Sequence, residues 1–181
     1  MRSHPGTDWF VALVVTALLC GGWPRFGDAG ARPERALPWR TGVADLVVRT
    51  PCGWREAHPG GARCLMRDPS HPEAGVLLVR LEPDLGFAVD GAELGELAAS
   101  AAARPGRTIL GVTPLQIEGA PAARADWSST ACAARALRGT LVVIDRGAAR
   151  VELELVAATD AWPAVERDVE ALLASLAFDP R

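Results

Sequence analysis

The feature that most constrains the fold is a pair of segments, TLVVID at 140–145 and ARVELELVA at 149–157, joined through Arg146-Gly147. A short turn of this kind between two apolar-rich runs predicts a β-hairpin, and therefore an antiparallel pair of strands. In the second segment apolar residues alternate with Glu152 and Glu154, which predicts one face in the core and one in water. We accordingly interpret the two glutamates as a solvated face and not as the paired acids of a hydrolase.

Further strands are predicted between residues 44 and 179, which we interpret as a single domain. Apolar or alternating runs bounded by turn residues indicate strands at 45–49, 54–57, 62–68, 75–82, 107–112, 115–119 and 121–128. The runs at 54–57 and 62–68 flank His58-Pro59-Gly60-Gly61, so they predict a second hairpin. Pro114 separates the predicted strands at 107–112 and 115–119.

Two amphipathic helices are predicted, one after each group of strands. The first follows Asp90, which has Glu93 three residues later as in a capping box, and it ends at Pro105-Gly106. The second runs from Asp160, the predicted cap, to Phe178 with an apolar stripe at the helical spacing. Hairpins dominate the strand connections, so we expect an α+β fold in which two helices pack on a mainly antiparallel sheet.

The N-terminus has the organisation of an export signal. An apolar run of 11 residues, Phe10 to Cys20, follows Arg2, and a run of this length is too short to span a bilayer. Ala29-Gly30-Ala31 has the small-x-small form of a cleavage site, so we expect a signal peptide over 1–31 and an extended lead over 32–43. A lipid-modified Cys20 is the alternative, although Leu19 departs from the residues expected before it, and an uncleaved short anchor is a third.

Three short motifs in order resemble the PsbP-like superfamily, which includes PsbP and exported lipoproteins of the LpqN type. They are Pro51-Cys52-Gly53-Trp54, similar to a P-x-G-W entry; the stretch IEGAPAAR at 117–124, similar to I-x-G-x-P-A-x-R; and the closing SLAF at 175–178. The resemblance implies a PsbP-like α/β/α sandwich over most of the chain. It also implies an exported accessory or binding role without a shared catalytic constellation.

Two cysteines lie close together in TPCGWREAHPGGARC at 50–64. Their spacing matches neither a zinc motif nor the C-x-x-C of a redox site, and in an exported protein two nearby cysteines predict a structural disulfide. We therefore expect Cys52 to pair with Cys64, with Cys132 as a competing partner for either. His58 and His71 are interpreted as turn residues, and no metal site is expected.

The sequence predicts a binding protein and not an enzyme. A net charge of −3 gives no basic surface for nucleic acid, and no catalytic, cofactor-binding or metal-binding residues stand out. We expect an exported accessory protein that acts through an unknown envelope protein, with membrane contact only through a possible N-terminal anchor. The alternatives are a small-ligand or lipid carrier, whose groove would include Trp54 and Trp127, and an acid-residue hydrolase. The oligomeric state is left open.

Overall fold

The structure, a computed structural model, describes residues 38–40, 45–58, 64–68, 71, 74–83, 91–130, 136–147 and 149–178. The predicted signal peptide at 1–31, with Cys20, and the predicted partner Cys132 lie outside these residues. Within the predicted lead at 32–43, residues Pro38–Arg40 are described and form a short strand, β1.

Within the described residues, the larger of two antiparallel sheets has seven strands in the order β3-β4-β5-β9-β8-β7-β6. Their bounds are β3 Arg55–Ala57, β4 Cys64–Met66, β5 Val76–Pro83, β6 Arg107–Ile117, β7 Ala120–Ser129, β8 Leu137–Asp145 and β9 Ala149–Ala158. The predicted hairpin at 140–157 is β8–β9, and it places the two strands at the centre of the sheet. The predicted hairpin around His58 is β3–β4, at one edge.

The two helices in the described part of the chain cover opposite faces of this sheet. Helix α1 (Gly91–Ala102) buries Leu94 and Ala98 against one face, and helix α2 (Trp162–Ala174) buries Val165 and Val169 against the other. Alternate residues of β8 and β9 point into the two cores, as the pleat of a strand requires. The predicted α+β fold, two helices on a mainly antiparallel sheet, is confirmed.

The smaller sheet joins the ends of the described chain in the order β1-β2-β10, where β2 is Leu46–Arg49 and β10 is Ala177–Phe178. The second helix was expected to continue to Phe178, but it ends at Ala174. The Ser175 hydroxyl donates to the carbonyl of Leu172 at 2.8 Å and accepts the N–H of Arg49 at 3.2 Å. These bonds fasten the helix end to β2, so that the next residues pair with β2 instead of adding a helical turn.

Strand β6 is continuous, whereas two strands interrupted at Pro114 were expected. Pro114 lies opposite Ala123 of β7, and β6 is the last strand of the sheet. An edge strand forms ladder hydrogen bonds on one side only. Proline has no backbone N–H, so it is tolerated at a position where an N–H would point away from the neighbouring strand. A register shift between Ile109 and Gly111 adds a bulge to the same strand.

The start of α2 also differs from the expectation. Ala161, and not Asp160, occupies the cap position, and no side chain caps the helix. The Asp160 carboxylate instead accepts the N–H of Ala161 at 3.0 Å. Neither helix of the described chain is long and apolar enough to cross a membrane.

Candidate functional site

The predicted disulfide between Cys52 and Cys64 is absent from the structure. The β3–β4 register places Cys64 opposite Ala57, five residues after Cys52, and the buried Cys64 thiol lies 3.6 Å from the Ala57 carbonyl oxygen, to which it donates. Cys52 is exposed in the turn closed by the hydrogen bond from Trp54 N–H to the Pro51 carbonyl. The strand register and the burial of Cys64 therefore hold the two sulfur atoms in different environments.

The two histidines in and after this hairpin each lie beside one carboxylate. His58 is exposed with Nε2 3.3 Å from the carboxylate of Glu56, and His71 is exposed with Nδ1 3.2 Å from Asp68. Among the described residues, no group of three or more potential ligands comes together. Burial, with a smaller effect from the charge of Glu56, raises the pKa of the Cys64 thiol to about 12, so the thiolate that would bind metal is disfavoured.

Trp54 and Trp127, the residues of the predicted groove, are both completely buried and belong to different cores. Trp54 packs on the α2 side of the sheet, where its Nε1–H donates to Asp168 at 2.8 Å. Trp127 packs on the α1 side against Gly139 and beneath the guanidinium of Arg107. Because the sheet separates the two rings, they do not form the floor of one groove.

The interpretation of Glu152 and Glu154 as a solvated face is wrong. Both side chains are buried, and only 1% of the Glu154 side chain is exposed. They lie on the same side of the sheet as α1, and the polar half of the alternation is inside the protein. Alternation shows that a strand has two faces, but it does not show whether a helix covers the second one.

Three arginines, Arg80, Arg104 and Arg107, surround Glu154. We call these residues, together with Glu152 and Glu154, the Glu154 cluster. Arg107 Nη1 donates to Glu154 Oε1 at 2.7 Å, and Arg80 Nη2 donates to Glu154 Oε2 at 2.9 Å. Arg104 Nη2 lies 3.7 Å from Glu154 Oε2, and Arg80 Nη2 lies 3.3 Å from Glu152 Oε2. Both oxygens of the central carboxylate are therefore occupied by guanidinium groups.

The electrostatics of the cluster hold Glu154 in its ionised form. Burial by itself favours the neutral acid, but Arg107, Arg104 and Arg80 outweigh it and lower the pKa of Glu154 below its usual range. Burial lowers the pKa of Arg107, against the opposing effect of Glu154. An acid catalyst needs a raised pKa, so this carboxylate is suited to pairing charges and not to donating a proton.

Sequence reasoning missed this cluster, although one signal of it was present. Arg80 interrupts an otherwise apolar run, GVLLVRLE at 75–82, that reads as a buried strand. A charged residue at such a position requires a buried partner of opposite sign. The register of β5 on β9 supplies Glu152 directly opposite Arg80.

The edge strand β6 carries the large apolar side chains that are most exposed among the described residues. Leu110 is 52% exposed at the bulge and Val112 is 41% exposed two residues later. The strand contains no charged residue between 108 and 117. Charged residues usually protect an edge strand from other chains, and this edge has only the bulge and Pro114.

A shallow cleft of about 560 Å³ lies between the end of α2 and the smaller sheet. Arg49 and Glu118 supply its charged groups, and Pro51, Ala171, Ala174, Ser175, Leu176 and Ala177 complete its wall. Glu118 also accepts the backbone N–H of Phe178 at 2.8 Å. The cleft is open to solvent and is formed mostly by small side chains.

Comparison with known proteins identifies the fold through structures and not through sequence. No family model and no curated protein matches the chain. The structure is similar to LpqN of Mycobacterium tuberculosis, involved in cell envelope biogenesis, with a TM-score of 0.58 and 15% identity over 85% of this chain and 87% of that one. It is also similar to the cyanobacterial PsbP protein CyanoP of Synechocystis, with a TM-score of 0.55 and 13% identity over 87% of this chain and 100% of that one.

A third similar structure is the Ran-binding protein Mog1p of Saccharomyces cerevisiae, with a TM-score of 0.53 and 9% identity over 81% of this chain and 96% of that one. At such low identities the similarity concerns the fold. The resemblance stated from the three sequence motifs is thereby confirmed at that level. The chain has the PsbP-like fold.

Proposed function

We propose that this protein is an exported, non-catalytic accessory protein of the cell envelope, and that it acts by binding a protein partner. The observation that carries the proposal is the apolar surface of Leu110 and Val112 on an edge strand that has no charged residue between 108 and 117. Exposed apolar side chains that lie side by side on a sheet edge favour contact with another chain. The contact strand is β6.

The fold supports the same class of function. LpqN, which shares the fold, is described as involved in cell envelope biogenesis, and Mog1p is described as binding the protein Ran. A fold hosts many functions, so these descriptions support a type of role and not a particular partner. The apolar run from Phe10 to Cys20 and the small residues at 29–31 support export.

The properties of Glu154 support a non-catalytic role for the pair of glutamates on β9. A hydrolase that used Glu152 and Glu154 would need one of them protonated near neutral pH and both accessible to substrate. Glu154 is instead buried, with its pKa lowered by three arginines. The pair therefore balances part of the charge of the surrounding arginines.

The test is a comparison of partner capture between two variants that add the same charge. Leu110→Asp places a carboxylate on the proposed contact strand, and Thr159→Asp places one in the exposed turn after β9. We expect a protein captured from envelope extract by the wild-type chain to be retained by Thr159→Asp and lost by Leu110→Asp. Equal capture by both variants would rule out β6 as the contact strand.

The cleft beside α2 favours one second candidate, a carrier of a small ligand. Its volume of about 560 Å³ falls within the range of small-molecule sites. Native mass spectrometry of the protein from its own host tests for a bound molecule. A ligand held in the cleft would be displaced in Ala174→Trp, which fills the space, and retained in Thr159→Asp.

A further inference from the structure

The Glu154 cluster contains more positive than negative charge. Among the described residues, three guanidinium groups, those of Arg80, Arg104 and Arg107, contact two carboxylates, which leaves a formal charge of 3 − 2 = +1. The side chains of Arg80 and Arg107 are more than nine-tenths buried. A buried excess charge is costly unless another group compensates it.

The same cluster has hydrogen-bond donors without acceptors. Arg80 Nε and Arg107 Nη2 are buried and have no hydrogen-bond partner in the protein, and the indole Nε1 of Trp127 beneath Arg107 has none either. Leaving a buried donor unpaired is unfavourable, and more so for a charged group. Both Glu154 oxygens already accept bonds from Arg107 and Arg80, so that carboxylate is committed.

The ring of Trp127 accounts for the position of Arg107 but not for its unpaired nitrogen. The guanidinium carbon lies 3.6 Å from the centre of the ring, in the geometry of a cation–π contact. That contact uses the flat face of the guanidinium. The N–H groups at its edge still require acceptors in the guanidinium plane.

We infer that the Glu154 cluster is a binding site for a small oxyanion, a carboxylate or a phosphate group, held by Arg80, Arg104 and Arg107. Such a group supplies acceptors only and a negative charge, which are what the cluster lacks. A guanidinium binds either oxyanion through two parallel N–H bonds. The net positive charge of the cluster would repel a cation. Chloride has the required charge, but it does not match the two parallel N–H donors of a guanidinium.

Access to the site is from the side of Arg104. Its side chain is 29% exposed and stands in the turn between α1 and β6, whereas Arg80 and Arg107 are enclosed. Arg104 also makes the longest contact with Glu154, at 3.7 Å, so it can turn toward an incoming anion without abandoning a short bond. This site shares only Arg107 with β6, lies away from Leu110 and Val112 in that strand, and does not depend on the proposed protein partner.

The test is binding of phosphate and of acetate to the full chain, measured by calorimetry and by thermal unfolding at constant ionic strength with chloride as the reference ion. We expect one equivalent of phosphate or acetate to bind saturably and to raise the unfolding temperature, because a ligand of the folded state stabilises it. Binding of phosphate alone assigns the site to phosphoryl groups. Binding of acetate alone assigns it to carboxylates.

Variants at two arginines locate the site. Arg104→Gln should weaken binding by roughly tenfold, the loss of one charge-assisted contact, and Arg104→Lys should bind with intermediate affinity because it keeps the charge without the fork. Arg138→Gln removes the same charge on the α2 side of the sheet, where Arg138 lies 3.7 Å from Glu166, and should bind like the wild type. The inference is overturned if neither anion binds saturably, or if Arg138→Gln weakens binding as much as Arg104→Gln.

Discussion

Gly139 lies directly beneath the indole ring of Trp127, so close that a Cβ at position 139 would meet Cε2 of that ring at 2.6 Å. The same Cβ would lie 2.6 Å from the carbonyl oxygen of Leu155 on the neighbouring strand. Both contacts are shorter than side-chain carbons allow. The position of the Trp127 ring, and with it the position of the Arg107 guanidinium that stacks on this ring, therefore depends on a residue without a side chain.

Gly139→Ala should destabilise the protein by about 1–3 kcal/mol, the usual range for overpacking a core. Gly95→Ala is the matched control, because a Cβ there lies 3.5 Å from Val112 Cγ1, an ordinary contact, and the residue is inside α1. That control should stabilise the protein by about 0.5–1 kcal/mol through helix propensity. Urea unfolding followed by circular dichroism measures both, and an unchanged midpoint for Gly139→Ala would contradict the packing described here.

Replacing the central carboxylate of the cluster should be among the most damaging single changes. Glu154→Gln leaves Arg80 and Arg107 buried without their counter-charge, and breaking a buried pair in this way typically costs about 3–5 kcal/mol. Glu166→Gln is the control, since Glu166 is half exposed and lies 3.7 Å from Arg138; it should change stability by less than about 1 kcal/mol. The free energy of unfolding at neutral pH, measured for both variants and the wild type, checks the two expected values.

The lowered pKa of Glu154 predicts a specific loss of stability in acid. An unfolded glutamate titrates near about pH 4.3, and the folded one titrates lower, so its stabilising contribution is complete above that pH. The contribution is lost as the pH falls through the folded pKa. Denaturation curves from pH 7 to pH 3 should therefore show a constant difference between wild type and Glu154→Gln down to about pH 4.3, and a shrinking one below it. A difference that stays constant to pH 3 would refute the assignment.

One carboxylate, that of Asp168, links helix α2 to Trp54 and Arg67 beside the β3–β4 hairpin. Asp168 stands on α2, 2.8 Å from the buried indole nitrogen and 3.6 Å from Arg67 Nε. Asp168→Ala leaves the indole N–H without an acceptor and should cost about 1–3 kcal/mol, whereas Asp168→Asn keeps an oxygen and should cost less. Equal thermal stability of the two variants would argue that the bond contributes nothing.

The burial of Cys64 predicts a thiol that reacts only when the protein unfolds. Burial raises its pKa to about 12, and its side chain is completely enclosed. A chain in which Cys20, Cys52 and Cys132 are replaced by Ser should react slowly with a thiol reagent at pH 8 and rapidly in denaturant. The matched chain that keeps only Cys52, which is exposed, should react rapidly in both conditions. Rapid native labelling of Cys64 would contradict its placement.

The predicted elements depended on local patterns that hold in any surroundings. Arg146-Gly147 between two apolar runs identified β8–β9, and the acid at 90 followed by Glu93 identified α1, because turns and helix starts are set by residues a few positions apart. The predicted break between two strands at Pro114 was wrong for a related reason. The local effect of the proline is to remove a donor, and only the place of β6 at the edge of the sheet makes that harmless.

The candidate site depended on contacts between residues far apart in the chain. The sequence by itself determined that β9 has an apolar face and an acidic face, since a strand alternates with a period of two. Only the tertiary structure decided that the acidic face is buried, and that Arg80 from β5, Arg104 from just before β6 and Arg107 from the start of β6 meet Glu154 there. Strand register likewise decided that Cys64 lies opposite Ala57 and not opposite Cys52. Register and layer packing are set by the summed burial of the whole domain, so no single segment encodes them.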